Sequence, residues 1–439
     1  SNARSRSESR RQGTLSWRHT HRARAPGYRH ARGLGVYTNA VLTVEEALAQ
    51  ILARARPLEP ERVALGAVLG RVLAEPVVSR REIPPWSNSS MDGYAVRAAD
   101  TANAPVTLMV TGRITAGTLP SRRLGPGEAA RIFTGAPLPD GADAIVPQED
   151  VDAEAERIRI VRAVVPGTFV RPRGEDVRVG DRVLDAGRPI RAAEVGLLAT
   201  LGHSPVLVHR RPRVAVLSTG DELADLGTEP RPGQIPNTNS YSLLAQALEA
   251  GAEAVNLGVA PDRLDAIEER IGWGQAADVF VSSAGVSVGE LDLVREAFTR
   301  CGAELHLWRV SMRPGKPIAF GTLGQRLIFG LPGNPVSAMV TFELFVRPAL
   351  LRLAGHERVA RSRIRARALD PIANPGHRRG YLRVTLVRDG DDVWARLTGD
   401  QGSAILTSMV QADGLAVVAG DSVVVKGESI EIIPLRDVS

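Results

Sequence analysis

Residues 278–285 read Asp-Val-Phe-Val-Ser-Ser-Ala-Gly, and the same pattern returns at 213–220 (RVAVLSTG) and 326–333 (RLIFGLPG). Each is an unbroken apolar run that ends in small or polar residues and a glycine. An apolar run without alternation is the mark of a strand buried on both faces, as in a parallel sheet covered by helices. EAVNLGVA (253–260) and AELHLWRV (303–310) read as further strands. Helical stretches separate them: NSYSLLAQALEAG (239–251), DRLDAIEERIGWG (262–274), LDLVREAFTRCG (291–302) and VSAMVTFELFVRPALL (336–351). Pro348 predicts a kink in the last. Strand–helix alternation over 211–355 therefore predicts an α/β layer with a largely parallel sheet.

The chain changes character on both sides of this layer. Residues 81–174 lose helical periodicity, and Gly and Pro recur between short Val/Ile runs, which predicts a β-rich domain. Residues 41–80 and 175–210 are assigned to a helical and linker domain. There Thr43-Val-Glu-Glu46 forms a capping box, a second short helix is expected near 61–73, and RAAEVGLLATL (191–201) is a helix. Residues 359–439 are β-rich again and fit a small barrel or sandwich. The fold class is thus α/β plus β in several domains. Ser1-Asn2-Ala3 reads as a tag remnant and 1–38 as a disordered Arg-rich extension, with a transit-peptide flavour as the other reading.

The 439 residues carry a net charge of +6, which invites a nucleic-acid reading. Residues 1–38, however, hold nine Arg against Glu8, so the other 401 residues carry 46 basic and 48 acidic side chains. The body has no polyanion footprint. No apolar stretch is long enough to span a membrane. A single cysteine, Cys301, excludes a disulfide framework and a Cys-rich zinc site and suggests a reducing, cytoplasmic setting. There is no GxxxxGK[ST] loop, and the eight histidines are scattered.

In open α/β sheets, ligands bind outside the carboxyl ends of the strands. Three such ends stand out. Ser218, Thr219, Gly220, Asp221 and Glu222 offer hydroxyls, close approach and carboxylates; an Asp on a tight turn is the bland reading. Residues 282–292, with Ser283, Gly285, Ser287, Gly289, Glu290 and Asp292, suit a phosphate nest beside carboxylates that Mg²⁺ would bridge; a Gly-rich connector with acidic first-turn residues is the alternative. Arg309, Arg313 and Lys316 lie near two proline-stiffened turns, the second being Pro332-Gly333-Asn334-Pro335 ahead of a helix. Two anion points on one sheet imply a ligand with two phosphates, or a phosphate plus another oxyanion. Lys316 is one of only two lysines, the other being Lys426. Asp92, Thr134, Asp143 and Asp176 sit in Gly/Pro-shaped loops of the β-rich domain, where surface turns are the plain reading.

The ordered strings NSSMDGYAVR (88–97), TGAPLPDGADAIV (134–146), RGEDV (173–177), STGDEL (218–223), SAGVSVGELD (283–292), RPGKP (313–317) and LPGNPVS (331–337) resemble the MoeA family of molybdopterin molybdenumtransferases, to which the E domain of gephyrin is similar. The resemblance runs from about residue 41 to the C-terminus. It implies an enzyme that takes adenylated molybdopterin and molybdate, inserts molybdenum into the dithiolene, and cleaves the pyrophosphate with Mg²⁺ to release AMP. It also implies a homodimer in which Asp92, Thr134 and Asp176 act with the partner copy's α/β layer. By motif, Glu222, Asp262 and Asp292 become functional carboxylates, with Glu222 and Asp292 organising Mg²⁺. Arg309, Arg313 and Lys316 would neutralise pyrophosphate or molybdate oxygens, Pro332 and Pro335 would shape their loop, and Ser403 lies in a further family motif, GDQGSA. Arg309 and Arg313 stand where some relatives carry lysine, so a planar fork replaces a point charge. The other functions weighed are a molybdopterin adenylyltransferase, a gephyrin-like scaffold or cofactor carrier, and a tungstate-handling relative. A molybdopterin adenylyltransferase and recipient apo-molybdoenzymes are the further expected partners.

Overall fold

The computed structural model describes residues 41–284 and 293–436. They form two compact units, one running up to Glu59 and from Arg210 onward, the other Pro60–His209.

The first unit is built on a six-stranded sheet of β1 (Arg213–Thr219), β2 (Glu253–Ala260), β3 (Val279–Ser283), β4 (Glu304–Arg309), β5 (Pro317–Leu323) and β6 (Arg326–Leu331), in the order 2-1-3-6-5-4. The pairs β2–β1, β1–β3 and β3–β6 are parallel, and β6–β5 and β5–β4 are antiparallel. The sequence decides the layering through the two-residue side-chain period. Val214, Val216, Val279, Val281 and Phe329 enter one core, and Ala215, Leu217, Phe280 and Ile328 enter the other. Leu243 and Ala247 of α2 (Asn239–Glu249) and Val336 and Val340 of α5 (Pro335–Thr341) cover the first face. Ile267 and Ile271 of α3 (Leu264–Trp273) and Ala297 and Phe298 of α4 (Leu293–Arg300) cover the second. The result is a three-layer α/β/α domain.

Downstream of α5, Phe342–Val346 widens into a π-helical segment before Arg347–Leu353 resumes the α-helix. Pro348 has no N–H to close a regular turn, and the wider turn absorbs that defect where the sequence predicts a kink. The helix α1 (Val44–Arg54) starts on the predicted capping box and buries Ala47 and Ile51 in the first core. At the C-terminus, strands Arg379–Asp389, Asp392–Leu397, Ile364–Ala368, Ser429–Pro434 and Gly414–Val418 pair in that order, and the last pairs back with the first. That closes a five-stranded barrel, which leaves no free edge among its members.

The second unit holds a six-stranded sheet in the order Ala144–Pro147, Gly93–Val96, Glu128–Ile132, Val106–Ile114, Arg157–Ile160, Val151–Glu154. Neighbouring residues alternate between two small cores: Val96, Ala129 and Val146 on one side, Ala95, Ala130 and Ile145 on the other. A third core joins Val68, Leu73, Val77, Leu184, Leu198 and Val208, and Ala192–Thr200 forms the expected helix. The helix expected near 61–73 does not form. Pro60–Val63 is a strand paired with Val206–His209, and only Leu65–Ala67 makes a 3₁₀ turn. Gly66 and Gly70 weaken any helix there, Gly70 is left-handed (φ +74°), and Val72 is drawn into a bridge with Pro189.

Candidate functional site

The carboxyl end of β1 is tied to the start of α2 by hydroxyls and amides. Ser218 Oγ lies 2.8 Å from Ser240 Oγ, and Asn237 Nδ2 donates to Ser240 Oγ at 2.9 Å. Asn239 bridges two strand ends: its Nδ2 donates to Ser283 Oγ at 2.6 Å, at the end of β3, and to the Gly333 carbonyl at 2.7 Å, after β6. All of these side chains are buried, and Asn239 Oδ1 has no partner among the described residues. Ser218 and Ser283 thus stand where the sequence puts them, at strand ends. Their hydroxyls are engaged by the protein. Asn237, Asn239 and Ser240 are site residues the sequence reading passes over; their signal is the Asn/Ser-dense stretch Asn237–Ser242 ahead of an amphipathic helix.

Thr219 is buried beside them. Gly220 follows at φ +144°, and the Glu222 carboxylate fills the space a Cβ would need. That close approach is what requires glycine there. Asp221 and Asp262 are joined: the Asp262 N–H donates to Asp221 Oδ1 at 3.1 Å. Partial desolvation pushes the Asp262 carboxyl above its usual range, and the charges of Asp221 and Glu222 add to it. Three carboxylates therefore gather at the neighbouring carboxyl ends of β1 and β2. Among the described residues, no three His, Cys, Asp or Glu side chains converge as a ready-made metal cage. Gly285, Ser287, Gly289, Glu290 and Asp292 lie outside the described residues.

The third strand end meets the barrel. Arg309 closes β4 opposite Pro317, and Lys316 is exposed on the turn between β4 and β5. Arg313 reaches the Pro375 carbonyl with Nη1 at 3.0 Å. Pro332 is buried, Asn334 is the N-cap of α5 and Pro335 its first residue. Asn334 Nδ2 donates to Ser403 Oγ at 2.9 Å, and the Ser403 carbonyl accepts from Val336 N–H at 3.1 Å. Beneath the 399–404 loop lies Arg383, fully buried. Its Nε donates to Ser408 Oγ and its Nη2 to the Gly402 carbonyl, both at 3.0 Å, while Nη1 has no partner among the described residues. Burial pulls its guanidinium down to about 10; Asp400 opposes that shift and Arg313 adds to it. Arg383 is a further residue the sequence reading passes over.

In the second unit, Gly93 pairs with Ile132, so Asp92 and Thr134 extend from neighbouring strand ends. Thr134 donates its N–H (2.8 Å) and its hydroxyl (2.7 Å) to Asp92 Oδ1. These bonds, the backbone one first, hold the Asp92 carboxyl below its usual range, with Arg131 helping. Asp143 instead caps the Ala98 N–H at 2.7 Å, a turn role. Asp176 is exposed, with its own N–H bonded to the Ile83 carbonyl.

Residues 42–202 match the MoeA N-terminal region (domain I and II), 215–352 a probable molybdopterin binding domain, and 365–435 the MoeA C-terminal region (domain IV). A molybdopterin molybdenumtransferase of Nostoc sp. is 39% identical over 391 residues, 86% of this chain and 89% of that protein. The chain belongs to the MoeA family. Molybdopterin molybdenumtransferase 1 of Mycobacterium tuberculosis is 38% identical over 420 residues, 89% of this chain and 98% of that one. The solved MoeA protein of Pyrococcus horikoshii superposes with a TM-score of 0.78 at 34% identity, over 91% of this chain and 100% of its own. The MoeA fold accounts for the central α/β layer, the β-rich region and the closed barrel together.

Proposed function

We propose that the chain is a molybdopterin molybdenumtransferase of molybdenum cofactor biosynthesis, which takes adenylated molybdopterin and molybdate and releases AMP and molybdenum cofactor. Its MoeA-family relatives carry that enzyme name over nearly their whole lengths. The observation that carries the chemistry is the buried Arg383, whose Nη1 is free among the described residues beside Arg313 and the Ser403 loop. A buried guanidinium with an unpaired donor is costly unless an acceptor completes it. A tetrahedral oxyanion such as molybdate supplies the missing acceptor. Ser403 Oγ accepts from Asn334, which leaves its own proton to donate to that anion. Arg309, Arg313 and Lys316 add positive charge near the same strand end.

The pyrophosphate belongs at the carboxyl ends of β1 and β3, beside the buried Ser218, Thr219, Gly220 and Ser283, with Gly285, Ser287 and Gly289 following in the sequence. Asn239 sets the spacing between the two anions, since it is bonded to both Ser283 and the Pro332–Pro335 loop through Gly333. Glu222 and Asp292 would hold Mg²⁺, with the charge of Asp262 near Glu222. The donor set fits, because Mg²⁺ needs only one or two carboxylates and completes its shell with water and phosphate oxygens. When bound, the ion neutralises pyrophosphate charge.

Asp92, Thr134 and Asp176 act in the same reaction from a partner copy in a homodimer. A cytoplasmic location, an upstream adenylyltransferase and recipient apo-molybdoenzymes complete the reading. The deciding experiment is incubation with adenylated molybdopterin, Mg²⁺ and molybdate. Molybdate-dependent AMP release, with cofactor that activates an apo-molybdoenzyme, supports the proposal; binding without release overturns it in favour of a carrier. Subunit sharing is tested by mixing Asp92→Ala with Glu222→Ala chains. Recovered activity supports it, and no recovery despite proven subunit exchange overturns it.

A further inference from the structure

The Pro60–His209 unit carries a cavity of about 530 Å³ between the segment 73–81 and the turn 201–207, lined by none of the residues discussed above as catalytic. That volume is in the range of small-molecule sites. Arg62, Arg80, Arg81 and His203 line it, with Glu75 as its one carboxylate. Leu73, Leu201 and Val206, all buried in the core of the unit, supply an apolar floor.

Other arginines of this unit, such as Arg71, Arg122, Arg173 and Arg191, are taken up by carboxylates. Among the described residues, Arg62, Arg80 and Arg81 have no carboxylate at ion-pair distance. Arg81 also packs against a glycine. A Cβ on Gly202 would meet its Cζ, Nη1 and Nη2 at 3.1 Å each, so the guanidinium lies face-on against that glycine. Gly202, left-handed at φ +70°, ends the turn after Ala192–Thr200. A guanidinium stacked by its face keeps its N–H edges for a ligand, and the planar fork suits phosphate and carboxylate oxygens.

We propose that this cavity binds a small organic phosphomonoester, with its phosphate on Arg62, Arg80 and Arg81 and its apolar body on the Leu73–Leu201–Val206 floor. The charge decides between anions. Three guanidiniums against Glu75 leave two positive charges, which match a phosphomonoester of about −1.5 to −2 at neutral pH and overmatch a monocarboxylate. Glu75 accepts from a hydroxyl or amino group on the organic part and so selects among such esters.

The test uses the full chain and phenyl phosphate as probe, by titration calorimetry, with inorganic phosphate and phenol as comparators. The expected result is binding of phenyl phosphate below about 1 mM, weaker inorganic phosphate by about tenfold, and no measurable phenol binding. The double variant Arg80→Ala/Arg81→Ala weakens phenyl phosphate at least about tenfold. It keeps AMP release from adenylated molybdopterin and the wild-type melting temperature, which shows that it is folded. Arg62→Gln, on a short exposed strand, provides an independent variant with the same direction of effect. Lys316→Ala leaves phenyl phosphate binding unchanged, which separates this cavity from the oxyanion site of the other unit. Binding that survives the double variant and Arg62→Gln, binding lost in Lys316→Ala, or no binding at about 10 mM probe each overturns the proposal.

Discussion

Asn334 stands at the N-cap of α5 yet does not cap it: its Nδ2 donates to Ser403 Oγ at 2.9 Å, and the Ser403 carbonyl takes the Val336 N–H at 3.1 Å. A loop of the barrel therefore does the capping, and the cap side chain is used to hold that loop. Two segments about seventy residues apart in sequence thus behave as one wall of the site.

Ser403→Ala removes the hydroxyl and keeps the carbonyl cap. Stability should fall by only about 1 kcal/mol, the ordinary value of one hydrogen bond. Molybdate-dependent AMP release should fall about a hundredfold, as for loss of one oriented oxyanion donor. Chemical denaturation and a kinetic assay on the same preparation separate the two. An unchanged rate would reduce Ser403 to a structural link.

Arg383 is the residue whose replacement should cost most. Arg383→Met strips the donors from the Gly402 carbonyl and Ser408 Oγ and should destabilise the first unit by about 3 kcal/mol. Arg383→Lys keeps a charge and loses the fork. It should fold, and its half-saturating molybdate concentration should rise at least about tenfold. A lysine variant with wild-type molybdate dependence would argue that only charge matters there.

Glu222→Gln and Asp262→Asn probe the neighbouring ends of β1 and β2. Removing the Glu222 charge should raise the Mg²⁺ concentration needed for half-maximal AMP release, since one ligand of the ion loses its charge. Removing the Asp262 charge relieves its repulsion with Asp221 and Glu222. Asp262→Asn should therefore keep or raise thermal stability while still weakening Mg²⁺ dependence. Magnesium titrations and melting curves of both variants check this, and a loss of stability in Asp262→Asn would remove the repulsion argument.

Glu194 gives a pH prediction away from the site. Its carboxylate is buried at the start of Ala192–Thr200, with Arg191 at 3.1 Å and Arg188 at 3.2 Å, and it accepts from the Arg191 N–H at 3.0 Å. The Arg191 guanidinium is the main cause that brings it from 4.5 down to about 2. A folded value below the unfolded one means stability that is fully present above about pH 4.5 and is lost as pH falls through about 2. Glu194→Gln should therefore be less stable than the parent at pH 7, and the gap should close toward pH 2. Urea midpoints at three pH values measure it; a gap independent of pH would point to packing rather than charge.

Much of this protein could be read from the order of its residues. Apolar runs such as Val279–Val281, with the helical stretches between them, determine the α/β layer, because a strand covered on both faces cannot alternate. The Thr43–Glu46 capping box and the strand-end motifs at Ser218–Glu222 and Ser283 are local chemistry, decided within a few residues. The failed helix at 61–73 shows the limit of local reading: Val63 and Val72 are claimed by partners at 206 and 189, far along the chain. Tyr381-Leu382-Arg383-Val384 carries the same lesson into the site. Its alternation sets Tyr381 and Arg383 on the strand face opposite Leu382 and Val384. Only the packing of the barrel against α5 and the first core, which also takes in Tyr381, turns that second face inward and makes Arg383 a buried cation. The sequence by itself determined which strand ends carry hydroxyl, glycine and carboxylate residues. Tertiary structure decided which distant side chains, Asn239, Arg383 and Ser403, meet them, because burial and hydrogen-bond pairing between remote segments depend on how layers stack and leave no period in the chain to reveal them.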